Sequence, residues 1–158
     1  MINAIIRLFH RMRAGEAERE LMKCFDLEPS MTEGLLIICL SPMLNVRSSL
    51  LWRNLGVKWQ VETKRMNLSN RDDCSPLRVQ EVPECTFREA ISRARQWESR
   101  GKPKGARLRD GPYYIVAWGT PTDIHTLYVH SPLTGSESAN AIACLESLGG
   151  FEVGLLEK

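Results

Sequence analysis

No stretch of this sequence can cross a bilayer as a helix. Its longest runs without a charge, Gly34 to Val46 and Ile124 to Ser136, are 13 residues each, against the ~20 apolar residues that a spanning helix needs. Histidine is scarce, with three in the chain, and no HxH, HxxxH or CxxC spacing occurs. A zinc site would therefore have to gather ligands from distant segments, and no metal is expected. No glycine-rich nucleotide loop is present either: Thr134-Gly135-Ser136 lacks the lysine and the further glycines such a loop requires. No cofactor is implied. The N-terminus shows no compact apolar region ending in a small-residue cleavage site. The five cysteines, Cys24, Cys39, Cys74, Cys85 and Cys144, are an odd number. They read as reduced thiols of a cytoplasmic protein.

What is present suits one globular domain, since 158 residues at 43% hydrophobic can bury a single substantial core. The net charge of +2 conceals an uneven distribution. Residues 1–33 carry 5 basic and 6 acidic groups, residues 34–110 carry 15 and 8, and residues 111–158 carry 1 and 5. The middle of the chain is basic and the C-terminal third acidic, an asymmetry that bears on partners rather than on fold.

Apolar residues at three- and four-residue steps from Ile5 to Phe25 predict a helix over 3–27, stopped by Pro29 and weakened at Gly15, so that 1–28 forms a helix or a helix pair. The run GLLIICL, 34–40, is apolar on both faces and predicts a central buried strand. A short helix over 46–55, capped by Gly56, is expected next. The alternating VKWQVETK then predicts a half-exposed strand. Polar residues 67–83 read as a long flexible loop. Thr86 with Glu89 forms a capping box that opens a helix running to Ser99. YYIVAW and IHTLYVH predict a hairpin turning over 119–123. Thr134 with Glu137 opens a further helix, and FEVGLL, 151–156, predicts a last strand. These elements describe a single α+β domain, 1–158: three to four helices packed on a mixed sheet of about five strands.

The densest chemical feature is the basic run from Arg88 to Asp110, with eight cations against three acids. It can neutralise phosphates or complement an acidic protein surface. Arg100, Lys102, Lys104, Arg107 and Arg109, with Tyr113 as an aromatic anchor, are the expected partner-binding residues. The acidic tail, with Glu146, Glu152 and Glu157, is a second patch suited to a basic partner. Among titratable groups, Cys85 just before a capped helix is the one candidate nucleophile. His125 and His130 are candidate bases, but an odd separation of five on a flat strand points them to opposite faces.

Three functional readings follow. The first is a protein-binding module that recognises and blocks another protein, in the style of immunity proteins, antitoxins and phage inhibitors. The second is a nucleic-acid-binding domain using residues 88–109. The third is a hydrolase built on Cys85 with His125 or His130.

Overall fold

The structure is a computed structural model and describes residues 2–41, 46–70, 72, 77–99, 113–130 and 137–148. Its elements run α1 (Ile2–Leu27), β1 (Glu33–Ser41), β2 (Val46–Asn54), β3 (Trp59–Asn67), β4 (Arg78–Val82), α2 (Glu84–Ser99), β5 (Tyr113–Thr120), β6 (Asp123–His130) and α3 (Glu137–Leu148). The strands form one sheet in the order β4-β3-β2-β1-β5-β6, every neighbouring pair antiparallel. The α+β class is as the sequence implies. The described sheet has six strands rather than about five, and it is antiparallel throughout rather than mixed.

The direction follows from where β5 lands. Helices between strands suggested parallel crossovers, but β1 is the most apolar strand and needs a neighbour on both sides. Since β2 occupies one edge of β1, the chain returning from α2 lays β5 along the other, with Leu35 opposite Trp118 and Ile37 opposite Val116. Both faces of β1 are then covered. Leu35, Ile37, Cys39, Leu50, Trp52, Val116 and Trp118 face a core shared with Phe87, Ile91 and Ala94 of α2 and Ile142 and Leu145 of α3. Leu36, Ile38, Leu40, Ile115 and Ala117 face the other way, against Ala17, Leu21 and Phe25 of α1.

Residues 46–55 are the clearest correction, for they form β2 and not a helix. Leu50 and Trp52 enter one core while Leu51 enters the other, so an apolar triplet that resembles a helix face is a strand buried on both sides. Gly56 does adopt the left-handed conformation, φ +83°, but in the β2–β3 turn. There the Gly56 amide donates to Asn54 Oδ1 at 2.9 Å and the Leu55 amide to the Lys58 carbonyl at 2.9 Å.

Within the expected 67–83 loop, residues 78–82 form the edge strand β4, paired with β3 from Trp59↔Val82 to Thr63↔Arg78. An edge strand facing water buries too little to leave an apolar signature. The capping box is also displaced. α2 starts at Glu84, and the Pro83 carbonyl accepts from the amides of Thr86 and Phe87 at 3.1 and 3.2 Å, which puts Thr86 inside the first turn. α1 is one continuous helix through Gly15. The hairpin forms with strands longer than expected, leaving Pro121 and Thr122 as its turn. The expected strand 151–156 and the cap residues 134–136 lie outside the described residues. Among the described residues, no helix is long and apolar enough to cross a membrane.

Candidate functional site

The described part of the basic run is α2. Its arginines do not stand free: Arg88 donates to Glu33 Oε2 at 2.6 Å and lies 3.7 Å from Glu84, Arg95 approaches Glu33 Oε1 at 3.7 Å, and Arg93 pairs with Glu89 at 3.5 Å. Glu33 is the residue that sequence reasoning missed. It begins β1 and is a buried carboxylate, 8% exposed, held by two guanidinium groups from one helix. A charged group can sit in such a place only when paired and hydrogen-bonded. The sole sequence hint was an acid directly before an apolar strand. Glu33 therefore clamps α2 over the start of β1, and three of the eight cations of the run are matched by carboxylates.

Arg100, Lys102, Lys104, Arg107 and Arg109 lie outside the described residues. Tyr113, where that segment enters the sheet, is half-buried at the start of β5. Its ring meets Tyr128 at 5.9 Å between centroids. The register places Tyr113 opposite both Leu40 and His130. Leu40 in turn faces Arg47, and Ser48 faces Arg65 one step along. The chain leaving the basic segment thus joins the sheet at the end where β2 and β3 carry arginines.

The catalytic candidates are kept apart. Cys85 is exposed in the first turn of α2, three residues beyond β4, and three residues reach at most about 10 Å. His125 is on β6 at the opposite edge, five interstrand steps or about 24 Å across the sheet. His130 shares that strand. The pairing required for a Cys/His hydrolase is therefore not assembled. His125 instead stacks on the buried Trp118 ring, centroids 5.7 Å apart at 17°, with Nε2 3.3 Å from Asp123 Oδ2.

A second polar cluster, also unforeseen, seals the flank of α1 against β2 and β3. Arg47 pairs with Glu20, and Arg53 pairs with Glu62 at 2.9 Å. Cys24 lies in the same cluster, where burial and then the carboxylates of Glu62 and Glu20 push its thiol above the ordinary value. A raised thiol holds less thiolate at neutral pH and is a poor nucleophile. We therefore expect iodoacetamide near pH 8 to label exposed Cys85 well before Cys24, with Cys24 gaining reactivity as pH rises. Peptide mass spectrometry of a labelling time course checks this, and equal rates would contradict the burial of Cys24. Among the described residues, no group of three or more potential ligands is placed to hold a metal ion.

No known protein family matches the chain, and neither does any curated protein or solved structure.

Proposed function

We propose that the chain is a protein-binding module that recognises an acidic surface on another protein and blocks it, in the manner of immunity proteins, antitoxins and phage-encoded inhibitors. The observation that carries this reading is the pairing of α2. Arg88, Arg93 and Arg95 each face a carboxylate, so the cationic excess of the run falls to Arg100, Lys102, Lys104, Arg107 and Arg109, next to Tyr113. Nucleic-acid affinity grows with each phosphate neutralised, and a run with three paired arginines is correspondingly weaker at that task. One acidic patch on a rigid partner needs only a short cationic segment beside an aromatic anchor. A reduced, cytoplasmic setting accords with the unbridged Cys24, Cys39, Cys85 and Cys144.

The test is affinity capture from the host lysate with the full chain and with a variant carrying Arg100→Glu, Lys102→Glu and Lys104→Glu, with and without nuclease and at two salt concentrations. The expected result is one protein recovered stoichiometrically regardless of nuclease and lost with the variant. Nucleic acid recovered in its place, and released as salt rises, would overturn the reading in favour of the second one. Recovery of neither would overturn it as well.

A further inference from the structure

Among the described residues, β4 is the outermost strand at its side of the sheet. Its residues Arg78 to Glu81 are exposed, and two apolar side chains stand out at alternate positions, Leu77 at 54% and Val79 at 48% exposed. The pairing with β3 puts Val79 beside Glu62 and, carried one residue further, Leu77 beside Lys64. All four lie on the face that α1 covers elsewhere, but α1 packs chiefly over β1, β5 and β6. Charge is polarised along this edge. Lys64, Arg65 and Arg78 are at one end, with Asp72 in the loop beyond them, and Glu81 and Glu84 are at the other, where Lys58 approaches Glu81 at 4.0 Å.

We propose that two copies of the chain pair edge to edge through β4, antiparallel about a two-fold axis at Val79, joining two six-stranded sheets into one. Each copy then sets its cationic end against the acidic end of the other, whereas a parallel arrangement would oppose like charges. In this register Val79 meets Val79 of the second copy, Leu77 packs on the stem of Glu81 of the second copy, and Arg78 faces a glutamine, Gln80 of the second copy. Lys64 lies two interstrand steps, about 10 Å of backbone separation, from Glu81 of the second copy, a span that the two extended side chains bridge across Leu77. Edge strands are ordinarily kept apart by short length and charge. Here the excess of cations at one end and of acids at the other fits the same strand turned around.

Sedimentation velocity on the full chain, from low to high micromolar concentration, tests the proposal. A monomer–dimer equilibrium is expected. Lys64→Glu or Glu81→Lys alone should each weaken it about tenfold, because every contact occurs twice by symmetry, and the double variant should recover most of the loss. Val79→Lys should also weaken it, while Val57→Lys, at a still more exposed apolar site in the β2–β3 turn, should leave it unchanged. These positions are exposed, and far-UV circular dichroism verifies that each variant is folded. A chain that stays monomeric throughout, a dimer indifferent to the β4 substitutions, or a double variant no better than the singles overturns the proposal. None of these outcomes depends on the blocked partner of the preceding section.

Discussion

Gly119→Ala should destabilise the protein by about 3 kcal/mol or more, lowering its melting temperature by roughly 6–12 °C for a domain of this size. Gly119, next to last in β5, has φ +137°, a backbone conformation that side chains rarely adopt. A Cβ placed there would be driven into the backbone carbonyl of Asp123, with the Ile124 Cα 3.2 Å away. Neither atom belongs to a flexible side chain, so the two-residue turn of the hairpin would have to open. Gly56 supplies the control. It too has a positive φ, +83°, but a Cβ there would find nothing within 4 Å. Gly56→Ala should cost only the conformational strain, about 1 kcal/mol. Thermal unfolding of the two variants side by side checks the geometry, and a Gly119→Ala protein as stable as Gly56→Ala would mean that the hairpin turns differently.

Trp52→Ala should cost about 3–5 kcal/mol, the range for deleting a large buried aromatic. Trp52 is fully buried at the middle of the sheet, in a row that runs Val61, Trp52, Leu35, Trp118 and His125 across five strands. Its loss would open a cavity beneath α2. The conservative change is the more informative one. Among the described residues the indole N–H groups of Trp52, Trp59 and Trp118 are buried without an acceptor, and an unmade buried hydrogen bond carries a desolvation penalty of about 1–3 kcal/mol. Phenylalanine removes that donor along with some volume, so Trp52→Phe should cost less than half of what Trp52→Ala costs. Urea unfolding of both variants decides the matter. Equal losses would show that the indole has a partner, such as a buried water, and that the core beneath α2 is wetter than its side chains indicate.

Much of the fold was legible in local pattern. The 34–40 strand announced itself because no polar residue interrupts GLLIICL, and the 113–130 hairpin because apolar and β-branched residues crowd either side of a proline-containing turn. Helices ending at Leu27 and Ser99 were marked by Pro29 and by Gly101 with Pro103. The candidate site was less legible. A basic run is visible as composition, but the carboxylate that matches Arg88 and Arg95 lies more than fifty positions upstream, and only folding brings Glu33 under α2. The same holds for Cys24, whose environment is made by Glu20 on its own helix and by Glu62 from β3.

The strands that escaped notice did so for opposite physical reasons. β2 is buried on both faces, so its Leu50, Leu51 and Trp52 lose the alternation that identifies a strand, and a run of that length fits a helix equally well. β4 is exposed along its edge, so RVQEV never acquires a buried face to alternate. In both, the deciding factor was a neighbour: β1 needed hydrogen-bond partners on both sides, and β3 had a free edge beside the returning chain. Hydrophobic burial is written locally, one residue after another, and so class, core strand, hairpin and charge blocks could be read directly from the chain. Strand pairing and charge pairing are relations between distant segments, and the antiparallel order, the clamp on α2 and the separation of Cys85 from the histidines therefore arose only when the segments met.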